Sequence, residues 1–241
     1  MCTLLGLEKR YMSLIIAYWI VVGLLLGTAS VQAQPATVSG SVVLPAGIND
    51  KKRSFRGSQY RSRQTPSSRR KEPQKRDESP FRAVVISAHP TSFTPEVKPL
   101  AEPIGIEQVG VAFAPRVTPI TVGTTVEFIN NDAIYHNVFS LTSGAKFNVG
   151  RHPTGKIVPK QIEHLGVIDL FCDIHPQMHG AILSLDTPYY TGVDDGGNFE
   201  LGDLPAGTYD LRAFYPGLDT VTAEIDLQAG ETKTWFFHLD H

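Results

Sequence analysis

The stretch that decides the fold runs from Gly166 to Leu185 and reads GVIDLFCDIHPQMHGAILSL. Residues 166–172 and 180–185 have the composition of two β-strands, since each is a short, mostly aliphatic run that begins at a glycine. Between them, Cys172, His175 and Met178 are each separated by two residues. A thiol, an imidazole and a thioether on one short loop indicate a metal site at the end of a β-structure.

The same strand character extends over most of the chain. Strand-like runs recur every 8–14 residues, with turn sequences between them, and no long helical period of about 3.6 residues follows residue 33. We therefore predict an all-β protein built as a sandwich. The predicted strands are residues 36–44, 81–87, 106–114, 117–122, 124–129, 137–141, 166–172, 180–185, 207–214, 221–227 and 232–239.

Composition narrows the class of protein. The chain has 241 residues, of which 41% are hydrophobic and 19% charged, so it is long enough to bury a core and is unlike a disordered or collagen-like chain. Two cysteines exclude a disulfide scaffold and a four-cysteine zinc or iron–sulfur site. No apolar run reaches the roughly 20 residues of a membrane span.

Residues 1–33 are predicted to be a secretory signal peptide. Lys9 and Arg10 precede an apolar run of 13 residues, 14–26, and small residues lead to Ala33, after which we place cleavage. An uncleaved membrane anchor is the alternative, but the short apolar run and its small-residue exit argue against it. We therefore expect a periplasmic protein.

Without residues 1–33, the chain retains one cysteine, Cys172, and one methionine, Met178. Exported proteins reach an oxidising compartment, where cysteines normally pair. A single cysteine therefore indicates a metal ligand, a reactive thiol or an intermolecular disulfide. A buried inert thiol is the structural alternative.

Charge is divided unevenly along the chain. Residues 51–76 contain 11 Lys and Arg and one Glu, whereas the rest of the chain after residue 33 contains nine basic and 22 acidic residues. Such a segment cannot form a packed core, so we interpret residues 48–80 as a basic disordered loop. A solvated insertion is favoured, and a docking arm for an acidic partner or a membrane surface is the alternative. Nucleic acid is a poor candidate for an exported protein, and we expect none.

Three ligands on one loop need a fourth from elsewhere to close a metal site. His136, in NNDAIYHNVFS (residues 130–140), lies at the boundary of two predicted strands and is the best candidate. Two histidines, one cysteine and a weak axial methionine are the ligand set of a blue-copper electron-transfer centre. Taken singly, the histidines are also compatible with polar loop ends and Met178 with core packing. Jointly, these structural explanations require three coincidences within seven residues, which favours the metal.

The remaining histidines show no paired ligand spacing. His179, which follows Met178 directly, is a possible competing ligand. The others are interpreted as structural or surface residues: His89, His152, His164, His238 and His241. No Ser/His/Asp signature and no phosphate-binding glycine loop is evident, so we expect a protein that is not an enzyme.

Residues 105–186 resemble the cupredoxin family, which includes plastocyanin-like and amicyanin-like proteins. The resemblance is carried by TTVEFINND (124–132), HNVFS (136–140), GVIDLFCDIH (166–175) and MHGAIL (178–183). It implies a Greek-key sandwich with one type 1 copper ion per chain. The implied ligands are His136, Cys172, His175 and Met178.

The resemblance also assigns roles to neighbours of the ligands. Asn137 looks like the family residue that ties the two ligand loops together and donates a hydrogen bond to the cysteine sulfur. His175 is implied to be the exit for the electron, with Ile174 and Pro176 in an apolar patch where a redox partner protein docks.

The flanking segments resemble a different family. Residues 38–44 (VSGSVVL), 81–87 (FRAVVIS) and 195–211 (DGGNFELGDLPAGTYDL) are similar to the carboxypeptidase-regulatory-like β-sandwich, a non-catalytic module with a transthyretin-like fold. We infer a cupredoxin domain of residues 103–186 inserted into this sandwich, whose two parts are residues 35–90 and 187–241. Exported proteins described as methylamine-utilisation-like share this arrangement.

The expected function is that of a periplasmic blue-copper protein that carries one electron by cycling between Cu(II) and Cu(I). Two alternatives stay open. One is a cell-envelope binding module with a structural metal such as zinc, which also accepts Cys and His ligands. The other is a copper-handling or copper-sensing protein without electron transfer.

Overall fold

The computed structural model describes residues 34–48 and 79–240. These residues form 16 β-strands and one 3₁₀ turn, Pro80–Ala83, which confirms the all-β prediction. The predicted signal peptide and the basic segment 51–76 lie outside the described residues, as does His241. Within the described residues, no helix has the length and apolar character needed to cross a membrane.

The strands, in chain order, are β1 Ala36–Val43, β2 Val85–Pro90, β3 Ile104–Gln108, β4 Phe113–Ala114, β5 Val117–Thr121, β6 Thr125–Asn130, β7 His136–Ser140, β8 Phe147–His152, β9 Ile157–Gln161, β10 Gly166–Phe171, β11 His179–Leu185, β12 Tyr190–Gly192, β13 Asn198–Leu204, β14 Gly207–Phe214, β15 Val221–Leu227 and β16 Thr232–His238.

One pair of sheets is built from the middle of the chain. Their strand orders are β4-β3-β6-β9 and β5-β11-β10-β7-β8, so consecutive strands alternate between the two sheets in several places, as in a Greek-key sandwich. The two sheets enclose a hydrophobic core, here called the inner core. It consists of Ile106, Phe113, Ile120, Val126, Phe128, Val138, Ile162, Ile168, Leu170, Cys172, Met178 and Ile182.

The second pair of sheets is built from the two flanking parts of the chain. Their orders are β13-β1-β16 and β12-β2-β14-β15, so strands that precede β3 pair with strands that follow β11. β1 shows this best, because it pairs with β13 on one side and with β16 on the other. Among the described residues, none of these strands shares a sheet with β3 to β11.

β11 lies between the two cores. Ile182 belongs to the inner core, whereas its neighbours Leu183 and Leu185 pack with residues of the flanking sheets such as Val85 and Phe214. Every residue from Gly180 to Leu185 is buried. A strand covered on both faces needs no polar alternation, which explains why this segment is apolar except for the buried Ser184.

The strands that the sequence did not predict share one property. β8, β9, β12 and β13 are all edge strands of their sheets. Edge strands have one unpaired side and carry charged or polar residues that mask the strand pattern. β9 contains Pro159 at a position that a central strand would not tolerate.

Two predicted strands differ from the structure by more than one residue at an end or are divided in it. The segment 81–87 starts as the 3₁₀ turn Pro80–Ala83, and β2 begins only at Val85. The segment 106–114 is divided into β3 and β4 by a tight turn, in which Gly110 and Val111 both have positive φ, 64° and 59°.

Candidate metal centre

Three of the four predicted ligands meet at one end of the inner sandwich. His136 begins β7, Cys172 directly follows β10, and His175 lies in the loop between β10 and β11. The strand pairing brings these positions together, because Phe171 lies opposite Phe139 on one side and His179 on the other. The potential ligand atoms of His136, Cys172 and His175 all lie within 4.8 Å of one another.

The three ligand atoms form a triangle. Cys172 Sγ lies 3.9 Å from His136 Nδ1 and 3.8 Å from His175 Nδ1, and the two nitrogens are 3.1 Å apart. His136 and Cys172 are buried, with 0% and 4% of their surface exposed, whereas His175 is half-buried. The triangle is therefore closed toward the protein and open to solvent only on the His175 side.

The distances between the three ligand atoms indicate which coordination geometry would fit a metal ion. With metal–nitrogen bonds of about 2.05 Å and a metal–sulfur bond of about 2.3 Å, a tetrahedral ion separates sulfur from nitrogen by about 3.6 Å. The observed separations of 3.8 and 3.9 Å are longer. They correspond to angles of roughly 120–130° at the ion, and the three angles add up to about 350° with these bond lengths. His136, Cys172 and His175 could thus hold an ion in the near-trigonal arrangement of a His₂Cys copper site.

Met178, the fourth predicted ligand, is a buried residue of the same loop. Its side chain is 1% exposed and belongs to the inner core together with Cys172. The backbone N–H of Met178 donates to the carbonyl oxygen of His175 at 2.9 Å, which closes a turn between the two residues. The loop thus returns Met178 to the interior while His175 stays half-exposed.

The surroundings of Cys172 favour the thiolate. Burial by itself raises the pKa of the thiol, but a hydrogen bond with His136 and backbone N–H groups of Asn137, His175 and Ile174 outweigh it, so the pKa lies below its usual value. The thiolate is the form of cysteine that binds metals. Deprotonation of Cys172 therefore costs little free energy when a metal binds.

The two histidines differ in their electrostatics. Burial lowers the pKa of His136, but its contacts with Cys172 and Asp132 outweigh burial and raise it above the usual value. The pKa of His175 is lowered, first by burial and then by the charge of His136. A neutral imidazole is the form that binds a metal, and His175 is held in it at neutral pH.

Asn137 makes only part of the contact that the resemblance implies. Its backbone N–H donates to Cys172 Sγ at 3.5 Å. Its side-chain oxygen is buried without a hydrogen-bond partner among the described residues. The contact with the sulfur is therefore made by the backbone, as expected, whereas a side-chain tie between the ligand loops is not seen for this oxygen.

Sequence reasoning missed Asp132 and Gln108. Asp132 Oδ2 lies 2.8 Å from His136 Nε2, on the side of the ring that faces away from Cys172. Gln108 is fully buried and joins His152 Nε2, 2.7 Å from its Oε1, to the backbone carbonyl of Asn137. The position of Asp132, four residues before the predicted ligand His136, could have indicated their contact. The contact between Gln108 in β3 and His152 in β8 had no such signal, because these strands approach each other only in the tertiary fold.

His179 is not part of the triangle. Its ring lies beside the ring of Phe171, with centroids 5.1 Å apart, and its Nε2 is 3.7 Å from Asp169 Oδ1. His179 is the first residue of β11 and lies opposite Phe171, the last residue of β10.

A second cluster of polar side chains lies on the flanking sheets. His89 Nε2 is 3.0 Å from Ser87 Oγ, and His89 Nδ1 is 2.9 Å from Asp186 Oδ1, which is the order of contacts in a hydrolytic triad. No sequence pattern indicated this cluster, because Asp186 is 97 residues from His89 along the chain. Ser87 is only 3% exposed, so its hydroxyl has no room for a substrate carbonyl. The cluster is a structural tie between β2 and the residue that follows β11.

The surface beside His175 is small and mixed in character. Ile174 is half-buried, while Pro176 and Gln177 are exposed. Next to it, Arg151 lies 3.2 Å from Asp173, the residue between two of the predicted ligands. Tyr135, which precedes His136, is 58% exposed.

Comparisons with known proteins match parts of the chain. A purple cupredoxin from Nitrosopumilus maritimus is 28% identical, and the match covers 34% of this chain and 99% of that one with a TM-score of 0.31. A copper-containing nitrite reductase from Thermus scotoductus SA-01 is 28% identical over 40% of this chain and 25% of its own, with a TM-score of 0.34. A reduced mutant form of amicyanin is 21% identical over 41% of this chain and 99% of its own, also with a TM-score of 0.34.

No model of a known protein family matches the chain, and no curated protein matches it. The chain is thus similar to solved cupredoxins over 34–41% of its length. The candidate metal centre is inferred from the positions of His136, Cys172 and His175, not from these similarities.

Proposed function

We propose that the chain binds one type 1 copper ion through His136, Cys172 and His175, with Met178 as a weak axial ligand, and carries single electrons. The observation that carries this proposal is the triangle of one sulfur and two nitrogens. Its sulfur–nitrogen separations of 3.8 and 3.9 Å suit a trigonal ion better than a tetrahedral one. A trigonal His₂Cys site is the geometry of blue-copper electron-transfer centres.

The bound copper supplies the one-electron step, and the chain holds the ligands in place. His136 is fixed at the start of β7 and Cys172 at the end of β10, so neither ligand depends on a long mobile loop. Their burial excludes water from two sides of the site. An ion held in this way changes its surroundings little between two oxidation states, which suits repeated electron gain and loss.

We propose that the electron enters and leaves through His175. It is the half-buried member of the triangle, and Pro176 and Gln177 beside it are exposed. A small surface of this kind suits a brief encounter with a redox partner protein. The protein is proposed to be periplasmic, on the strength of the signal-peptide pattern in residues 1–33.

The flanking sheets are proposed to form a carboxypeptidase-regulatory-like sandwich that carries the copper domain of residues 103–186. In support of this division, strands on either side of those residues pair with one another. We assign this sandwich no catalytic role. The basic segment 51–76 is proposed to be a solvated insertion, with an acidic partner or a membrane surface as the alternative.

The test is to add Cu(II) to the purified protein and record its visible absorption and electron spin resonance spectra. We expect one copper ion per chain, an intense blue or purple band from the thiolate, and narrow copper hyperfine splitting. Cys172→Ser removes the thiolate and should abolish the band while the fold survives. His179→Gln changes a neighbouring residue outside the triangle and should leave the band in place.

Other results point to the alternatives. A colourless protein that retains zinc favours a binding module with a structural metal. A protein that turns blue but releases copper on reduction favours copper handling. A Cys172→Ser variant that stays intensely coloured contradicts the assignment of the ligand.

A further inference from the structure

The carboxylate of Asp132 lies behind His136 and accepts three hydrogen bonds. Its Oδ1 accepts from the backbone N–H of Gly110 at 2.7 Å, and its Oδ2 accepts from the N–H of Val111 at 2.9 Å. The same Oδ2 lies 2.8 Å from His136 Nε2. The side chain of Asp132 is 10% exposed and that of His136 is 0% exposed, so these contacts are shielded from water.

The two backbone donors come from an unusual turn. Gly110 and Val111 join β3 to β4, and the N–H of Val109 donates to the carbonyl of Ala112 across the turn at 3.0 Å. Both central residues have positive φ, which is the pattern of a hairpin turn that normally carries Asn-Gly. A β-branched residue such as Val111 is strained at a φ of 59°. The strained turn aims two N–H groups, which would otherwise lack a partner in the hairpin, at one carboxylate.

The contact with Asp132 determines the tautomer of His136. An ionised carboxylate only accepts hydrogen bonds, so His136 in its neutral form must carry its hydrogen on Nε2. Its Nδ1 then presents a lone pair on the opposite side of the ring, where Cys172 Sγ lies 3.9 Å away. Carboxylates that bind the second nitrogen of a metal-bound histidine orient the ring and increase its basicity.

We propose that Asp132 is a positioning residue that fixes the metal-binding tautomer of His136 and lowers the reduction potential of the copper ion. The inference rests on the proposed function and deepens it. A negative charge that reaches the ion through His136 stabilises Cu(II) more than Cu(I). The turn at Gly110 and Val111 keeps the carboxylate in place, because both N–H groups donate to it.

The test variant is Asp132→Leu, which keeps the branched shape of the side chain and removes both acceptor oxygens and the charge. No side-chain acceptor at position 132 then faces His136 Nε2 or the N–H groups of Gly110 and Val111. We expect His136 to change from the Nε2–H to the Nδ1–H tautomer, or to lose its fixed tautomer, in nitrogen-15 NMR spectra of the metal-free protein at alkaline pH. This readout needs no copper.

The second readout is copper binding. Loss of such an outer partner typically weakens metal binding by about 10–100-fold. We expect Cu(II) binding to weaken at least about tenfold more than Cu(I) binding, which corresponds to a rise of about 59 mV in the one-electron reduction potential.

Thr154→Val is the matched control. The Thr154 hydroxyl donates to the backbone carbonyl of Asp132 at 2.6 Å, so the variant loosens the same loop without touching the carboxylate. It should keep the tautomer and the potential of the parent protein. The proposal is overturned if Asp132→Leu keeps the parent tautomer, if its potential does not rise, or if Thr154→Val produces the same changes.

Failure of the proposed function gives a different result. A parent protein that binds no copper contradicts the electron-carrier proposal and the effect on the potential, while the tautomer of His136 in the metal-free variants still decides whether Asp132 positions the ring.

Discussion

Replacing Met178 separates its role in the core from its role as an axial ligand. The side chain is 1% exposed and packs in the inner core. Met178→Ala removes three heavy atoms from this core and leaves a cavity, so we expect the free energy of unfolding of the metal-free protein to fall by about 2–5 kcal/mol. Met178→Leu keeps most of the volume, so the loss should stay below about 1.5 kcal/mol.

The potential responds to a different property of the side chain. Leucine has no thioether, so Met178→Leu removes the axial donor while the packing is largely kept. A weak donor stabilises Cu(II) more than Cu(I), and each tenfold change in that preference shifts a one-electron potential by about 59 mV. We expect the potential of Met178→Leu to rise by about this amount.

The assays are chemical denaturation of the metal-free variants and redox titration of the copper-loaded ones. A Met178→Leu variant with the parent potential and the parent spectrum refutes the axial role of Met178 and leaves it as a core residue. A Met178→Ala variant that unfolds within about 1 kcal/mol of the parent refutes the packing argument, since a buried methionine should cost at least about 2 kcal/mol when truncated.

Two further predictions concern the flanking sheets. A Cβ added at Gly40 would overlap the carbonyl oxygen of Trp235, so Gly40→Ala should force β1 and β16 apart and destabilise the protein by about 1–3 kcal/mol or more. A thermal unfolding midpoint equal to that of the parent would contradict this. The pKa of His89 is lowered, mainly by burial and then by Arg212. As the pH falls below about 6.5, the imidazole of His89 is therefore protonated in the unfolded chain before it is protonated in the folded protein. The free energy of unfolding decreases there by at most about 1.4 kcal/mol per pH unit. His89→Gln removes this titrating group. Between pH 7.5 and about 5, the free energy of unfolding should therefore decrease less for the metal-free variant than for the metal-free parent protein. Equal decreases for the two proteins would show that His89 does not contribute.

The charged groups around His89 have opposite effects on its pKa. Arg212 lowers the pKa, whereas Asp186 and Asp210 raise it. The net shift is downward because burial contributes most. Below about pH 6.5 the folded protein thus keeps a neutral His89 at a site where the unfolded chain is already protonated.

β11 has a role that links the two pairs of sheets. It begins at His179, one residue after Met178, and its buried residues reach both cores. Arg116, just before β5, donates to the hydroxyl of Tyr215 at 3.2 Å and lies over its ring at 5.7 Å. The loop that carries three predicted ligands is therefore anchored in a strand that is packed on both faces.

Much of the fold was predictable because many of its strands are locally encoded. The runs at residues 207–214 and 221–227 coincide with β14 and β15, and the run at 166–172 exceeds β10 by one residue. In these segments the strand pattern and the turn residues agree. The edge strands β8, β9, β12 and β13 were not predicted, since their polar sequences form strands only when a neighbour supplies the hydrogen bonds.

The sequence by itself predicted Cys172, His175 and Met178 as ligands, because their spacing on one loop is a local property of the chain, and it predicted His136 from its position between two strand-like runs. Only the tertiary structure decided how far apart the ligand atoms lie, and that separation is what favours a trigonal ion. It also decided that Asp132, held by the turn at Gly110 and Val111, stands behind His136. Contacts of this kind join strands that are distant along the chain, and they follow from sheet pairing and packing, which no local pattern of residues specifies.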